Sequence, residues 1–215
     1  MRVAIACPGP SLSRTVEGPG FARARAYDAV IGVNKAVEAV ACDWWVFADR
    51  QCFGWFTPTR GQAGLWPRLC VGPGVMDHIF AEPYGEDFRA VFQDRGIEAR
   101  KLTTTPAGRG WMTFTTAIAI VLGLNLGATT ITLVGCDLAG ERDFTGQPWP
   151  RRDATRWHLE RTHLGWVIRW CRSRGAAVKR ITPATPGSSE TKCPGPLPGP
   201  LPGAGLPGVG GDVVG

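Results

Sequence analysis

Short apolar runs that stop abruptly at turn-forming or polar residues recur along this chain. Val3-Ala4-Ile5-Ala6-Cys7 ends at Pro8-Gly9-Pro10-Ser11, Ala29-Val30-Ile31-Gly32-Val33 ends at Asn34, and Trp44-Trp45-Val46-Phe47-Ala48 ends at Asp49. None of them alternates between apolar and polar positions, which is the pattern of strands covered on both faces of a parallel sheet. Leu69-Cys70-Val71 is a candidate fourth strand. From Phe114 to Leu124 the chain is apolar and alanine-rich without strand alternation, so the pattern predicts a buried helix ending near Gly123 or Gly127. Thr130-Ile131-Thr132-Leu133-Val134 then predicts a β-branched strand that stops at Gly135-Cys136-Asp137. After an insertion rich in charge and proline (residues 139 to 153), Leu164, Val167, Ile168 and Cys171 recur at helical spacing within Leu159 to Arg174. Gly175 is the natural stop of that helix, and Ala177-Val178-Lys179-Arg180-Ile181 predicts the last strand.

Strands alternating with helices predict an α/β fold: a Rossmann-like, mostly parallel sheet with helices on both faces, occupying residues 1 to 185 as a single domain. Ligands of such sheets bind at the carboxyl ends of the strands, where Pro8, Asn34, Asp49 and Asp137 fall. Residues 186 to 215 carry Pro-Gly-Pro-Leu repeats and many glycines, a composition that cannot bury a core and predicts a disordered tail.

Composition narrows the class. The 215 residues are 44% hydrophobic and 20% charged, enough for one domain with a sizeable core. The formal net charge of +6, mostly arginine, favours anionic partners such as nucleotides, phosphorylated substrates or nucleic acid. Seven scattered cysteines with no C-x-x-C pair argue against a zinc site or a disulfide framework, so no metal ligand is assigned. The apolar run before Pro8 is too short for a signal-peptide core, and no stretch reaches the roughly 18 consecutive apolar residues of a membrane span. The expectation is a cytoplasmic protein. Most of the nine tryptophans are expected in the core, since Trp166 and Trp170 stand at helical spacing and Trp44-Trp45 opens a strand.

Candidate chemistry gathers at the strand ends. Gly9-Pro10-Ser11, directly after the first strand, is where an α/β protein places a phosphate, because glycine lets the backbone approach and the following N–H groups point at the anion. Neither G-x-G-x-x-G nor G-x-x-x-x-G-K-[ST] is present, so an ordinary strand-ending turn is the competing reading. Asn34 and Asp49 are candidates to bond the base, ribose or phosphates of a nucleotide along the same edge, with plain capping as the alternative. Asp137 is a candidate to accept from ribose hydroxyls or to hold a metal through oxygen. Arg109 and Thr103-Thr104-Thr105, before the buried helix, form a candidate second anion contact that competes with simple helix capping. His158 and His163 lie near the start of the last long helix, and histidine suits general base work near neutral pH, although a helical histidine more often packs or faces solvent.

Taken in order, Ile5 through Leu12, Ile31 through Asn34, Asp43-Trp44 through Asp49, Ala117 through Gly123 and Ile131 through Asp137 resemble a known superfamily. It holds the bacterial α-2,3/2,8-sialyltransferases and the archaeal-type 6-hydroxymethylpterin diphosphokinases (MptE-like proteins), and the resemblance covers residues 3 to 183. It implies donor contacts at Gly9, Pro10, Ser11 and Asn34 and places His158 at the position of the catalytic histidine. The chain departs from the pattern in carrying Asp49 where the sialyltransferases have asparagine, Arg109-Gly110-Trp111-Met112 where they have Thr-Ser-Gly, and no tyrosine after Asp137 to hold the donor phosphate.

The expected function is a nucleotide-dependent transferase, glycosyltransferase-like, with a nucleotide-sugar donor and an acceptor hydroxyl activated by His158. The alternative is a diphosphokinase with a nucleoside triphosphate donor and Mg²⁺ as its cofactor. A second alternative is a non-catalytic nucleotide or nucleic-acid binding module. The acceptor and the oligomeric state are left open.

Overall fold

The computed structural model describes residues 1–12, 27–48, 52, 68–70, 102–107, 114–143, 145–148 and 153–181, all within the unit Met1–Pro183. Asp49, Arg109 and the segment 186–215 lie outside the described residues. The chain forms an α/β fold around six strands: β1 (Arg2–Ala6), β2 (Ala29–Val33), β3 (Trp44–Val46), β4 (Arg68–Cys70), β5 (Thr130–Val134) and β6 (Ala177–Ile181). Their order is β4-β3-β2-β1-β5-β6, and every neighbouring pair is parallel. Val3 of β1 stands opposite Ala29 of β2 on one side and Ile131 of β5 on the other. The chain therefore builds outward from β1 through β2, β3 and β4, then returns to the opposite flank of β1 with β5 and β6. That reversal makes the carboxyl ends of β1 and β5 the topological switch point of the sheet, the edge where sheets of this kind bind ligands.

Among the described residues two α-helices cover one face of the sheet: α1 (Thr115–Asn125) and α2 (Ala154–Ser173). Ala117 to Leu122 of α1 and Leu164, Val167 and Cys171 of α2 share one core with Val3, Ile5, Ile31, Ile131 and Leu133. Helix α1 is buried continuously from Thr116 to Gly123, as its all-round apolar sequence requires. On the other face Ala6 and Val134 pack against Leu12 and against Ala36 and Val40, which belong to or follow a 3-10 turn over Asn34–Glu38. Among the described residues, no helix is long and apolar enough to cross a membrane.

Helix α2 starts at Ala154, five residues before the first position expected from apolar spacing. Ala154 and Thr155 are exposed and Arg156 and Trp157 only half-buried, so no apolar repeat marks the opening turn. The start is set by Asp153, whose side chain accepts the Arg156 N–H at 2.7 Å and satisfies one of the amides that the first turn leaves open. The threonine run before α1 also lies elsewhere than expected. Thr103 N–H, Thr103 Oγ1 and Thr104 N–H all donate to Asn125 Oδ1 at 2.9 to 3.0 Å, so Thr103 and Thr104 tie to the carboxyl end of α1 and contribute nothing to an anion contact at its start.

Ile131 lies wholly buried between Val3 and the Gly123 turn of α1, where an added Cβ would come within 3.2 Å of its Cδ1. Ile131→Ala is expected to lower unfolding free energy by about 2–5 kcal/mol in a denaturant titration, because so rigid a site cannot collapse around the lost atoms.

Candidate functional site

Close backbone contact joins the carboxyl ends of β1 and β5. Cys7 N–H donates to Val134 O at 2.7 Å and Gly9 N–H to Gly135 O at 2.9 Å. A Cβ at Gly9 would press on the Gly135 carbonyl oxygen and stand 2.5 Å from Asp137 Oδ2. Gly135 sits at φ +65°, and a Cβ there would press on the Cys7 carbonyl oxygen. Glycine is required at both places by this approach.

Asp137 reaches over the junction, and its Oδ2 accepts the Ser11 N–H at 2.7 Å. Leu12 N–H donates to Gly9 O at 2.9 Å, and Pro10 has no N–H to give. Every amide of the Gly9-Pro10-Ser11 turn is thus engaged inside the protein. This corrects the expectation that these amides face a phosphate: an internal carboxylate already meets the Ser11 donor that an external anion would take.

Beside the junction lies a cleft of about 110 Å³. Gly9, Asn34 and Asp137 line it together, as their shared sheet edge predicts; Pro10 and Ser11 belong to the adjoining turn but do not line it. Phe114, Thr115 and Thr116 bring the amino end of α1 to the cleft. The first turn of α1 has no acidic residue and no side-chain cap, and its leading amides have no carbonyl in their own helix, so the positive end of the helix dipole faces the space. From α2, Arg156, Trp157 and Glu160 complete the wall. The Arg156 guanidinium stacks over the Phe114 ring at 4.4 Å, and His163 meets the same ring edge-on at 5.2 Å. Glu160 is 6% exposed, a buried carboxylate on a rigid helix.

The sequence pattern did not single out Arg156, Glu160, Thr115 or Thr116. For Arg156 and Glu160 the signal was their i, i+4 spacing, readable only once the true start of α2 is known; Thr115 and Thr116 carried none. His158, the expected base, is exposed on α2 and is not among the residues lining the cleft. Two non-glycine residues with positive φ, Asn34 (+48°) and Leu138 (+51°), line the same space. Such backbone costs of order 1–3 kcal/mol and is held by its surroundings. Asn34 O accepts the Trp45 indole N–H at 3.0 Å, and Leu138 O accepts Arg161 Nη1 at 3.0 Å.

Lys35 ties the Asn34 side of the cleft to the loop after β5. Its Nζ bonds Asp143 Oδ2 at 3.0 Å, Thr145 Oγ1 at 2.8 Å and Gln147 Oε1 at 2.7 Å. Asp143 Oδ1 also accepts from Thr145 N–H, Thr145 Oγ1 and Gln147 N–H. Burial acts to raise the Asp143 carboxyl, but the bonds from Thr145, Lys35 and Gln147 outweigh it and hold the group below its ordinary value. At the floor, the thiol of Cys7 is pushed well above its usual range by the neighbouring Cys136 thiol and by burial. Among the described residues no group of three or more His, Cys, Asp or Glu side chains is gathered as a metal site.

No family model matches this chain, and no curated protein or solved structure matches it significantly.

Two predictions follow from this geometry. Asp137→Ala strands the Ser11 N–H and is expected to cost about 1–3 kcal/mol in denaturant unfolding, the penalty of a buried donor left unmet. Because the Asp143 carboxyl is depressed in the folded state, its stabilisation is present above the unfolded value of about 3.9 and lost as pH falls through the folded value. Unfolding midpoints measured from pH 2 to 6 are expected to fall more steeply with acid for the wild type than for Asp143→Asn; parallel curves would remove this clip from the acid response.

Proposed function

We propose that this protein is a nucleotide-dependent transferase, glycosyltransferase-like in its reaction, with its donor in the cleft between the carboxyl ends of β1 and β5. One observation carries the reading: the cleft stands where the strand order reverses, with the acid-free amino end of α1 and Arg156 on one wall and Asp137 on another. The donor phosphate rests against the α1 amides and Arg156, where a helix terminus and a guanidinium both favour an anion. Ribose hydroxyls donate to Asp137, and Asn34 meets the rest of the nucleoside. About 110 Å³ is small beside the roughly 300–1,000 Å³ of whole-ligand pockets, so the cleft takes the phosphate and ribose while the remainder lies along the sheet edge.

In the transfer, the acceptor oxygen attacks the anomeric carbon, the bond from that carbon to the donor phosphate breaks, and the leaving nucleotide carries away the electron pair as negative charge. The α1 terminus and Arg156 stabilise that developing charge. Glu160, which lines the cleft, takes the acceptor proton. His158 stands outside the cleft and has no part in this step. The order of sequence blocks resembling the sialyltransferases supports the transferase class and the donor edge at Gly9 and Asn34, while it places His158, not Glu160, at the position of the base.

A second reading is favoured by a specific feature, the presence of two carboxylates, Asp137 and Glu160, in one cleft. Mg²⁺ is commonly held by one or two carboxylates together with substrate phosphates. These residues fit that role in a diphosphokinase, where the ion would neutralise charge on the transferred phosphates.

Thermal unfolding with CMP, UDP, GDP and ATP, each with Mg²⁺ or EDTA, tests both readings. Stabilisation by CMP or UDP in EDTA is the expected outcome, since a ligand binding only the native state raises its stability by about 2.7 kcal/mol at a hundred times its Kd. Stabilisation by ATP with Mg²⁺ alone selects the diphosphokinase, and no shift with any nucleotide defeats the proposal. With the donor identified, Glu160→Gln is expected to slow its hydrolysis roughly 10²–10⁴-fold while binding persists, and His158→Ala to leave both unchanged.

A further inference from the structure

Segment 153–181 carries seven basic residues, Arg156, Arg161, Arg169, Arg172, Arg174, Lys179 and Arg180, and two acidic ones. Neither acid offsets charge on the outer surface: Asp153 caps α2, and Glu160 is buried in the cleft. On α2, Arg161, Arg169 and Arg172 fall with His158 within one stripe about 80° wide, at about 100° per residue. All of them are exposed. The stripe leans toward β5 and β6, since Arg161 Nη1 donates to Leu138 O and Arg172 Nη2 donates to Val178 O at 3.3 Å. Side chains alternate along β6, and Val178 packs into the core beneath α2. Arg180 therefore emerges on the α2 side of the sheet, and Lys179 on the opposite side.

A solvated helix face ordinarily interleaves both signs, with acids three or four residues from bases. This one does not. Among the described residues the ion pair formed is Lys35 with Asp143, far from this stripe, and none of Arg161, Arg169, Arg172 or Arg180 meets a carboxylate. From His158 to Arg172 the stripe runs about 21 Å, at 1.5 Å per residue.

We propose that the outer stripe of α2, with Arg180 beside it, docks the phosphodiester backbone of a nucleic acid. A single-signed row of guanidiniums matches repeated phosphates in charge and in hydrogen-bonding geometry. A membrane surface is the poorer match, because the apolar side of α2 is spent on the core and Leu159 is its one exposed large apolar residue among those described. The surface meets the cleft only through the Arg161 bond to the Leu138 carbonyl, and its occupant does not depend on the transferase reading.

Fluorescence anisotropy of the full chain with a fluorescein-labelled 20-base-pair duplex of mixed sequence tests the proposal. Four cationic contacts give a slope of log affinity against log salt of about −3.6, or roughly 100-fold weaker binding at 200 mM than at 50 mM salt. Arg169→Gln/Arg172→Gln/Arg180→Gln is expected to bring the slope to about −0.9 and to weaken binding at 50 mM at least tenfold, while Lys179→Gln, on the other sheet face, binds as the wild type. Arg169→Gln/Arg180→Gln spares the Arg172 bond to Val178 and is expected to lose about half the slope, which guards against misfolding of the triple variant. The proposal is overturned if both multiple variants bind like the wild type, if the wild type fails to bind at 50 mM salt, or if phosphatidylserine vesicles are bound in preference to the duplex.

Discussion

Backbone pairing between β1 and β5 runs past the ends of both strands, through the Cys7–Val134 and Gly9–Gly135 hydrogen bonds, and the rest of the site hangs from that contact. It brings two chain segments together so closely that a Cβ on either glycine would strike the other backbone. The same closeness sets Asp137 over the Ser11 amide. With the turn after β1 locked in this way, its amides are removed from ligand chemistry, and the open donors of the region become those at the amino end of α1. One packing constraint thus leaves the amino end of α1 to meet an anion.

Much of the fold was legible because parallel strands buried on both faces leave uninterrupted apolar runs. β2, β5 and β6 coincide with their sequence runs to the residue, and β1 and α1 are displaced by a single position. Reading failed where function follows from caps and approach distances instead of periodicity. The first turn of α2 carries no apolar repeat, so Asp153 marks its start and Arg156 was hidden with it; Glu160 fell inside the expected helix, but its burial against the cleft depends on the helix phase. Gly9, Asn34 and Asp137 were legible as strand-ending residues. The direction of the Ser11 amide was not, because it depends on a carboxylate 126 positions away in the chain. The exposure of His158 was equally hidden, since the side on which a helical residue falls depends on the helix phase against the core.

Strain and tethering occur together around the cleft. Leu138 adopts left-handed backbone that its side chain disfavours and Asn34 one that asparagine tolerates better, and each is pinned by a bond from another element, Trp45 in one case and Arg161 in the other. Lys35, next to Asn34, grips the loop that follows Leu138 through three acceptors. The two strained residues are therefore fixed relative to one another by a cross-link as well as by their own partners. A geometry held from several sides in this way keeps a binding surface preorganised, and reduces the ordering that a ligand would otherwise impose.

Charge balance then separates the two chemistries proposed for the cleft. A phosphate about 5 Å from a carboxylate is repelled by about 3 kcal/mol at an effective dielectric near 20, and Asp137 and Glu160 both border the space. The guanidinium of Arg156 and the half-charge of the α1 terminus oppose that repulsion with similar strength. If the phosphate lies against α1, with Asp137 already engaged by the Ser11 amide, the attractions prevail and no further cation is required. If the phosphate instead lies between the two carboxylates, a divalent ion must join it. On the two proposed readings, the position of the phosphate along a few ångströms of the cleft separates a metal-free glycosyl transfer from a Mg²⁺-dependent phosphoryl transfer. The engagement of Asp137 with Ser11 is the feature that weights it toward the first.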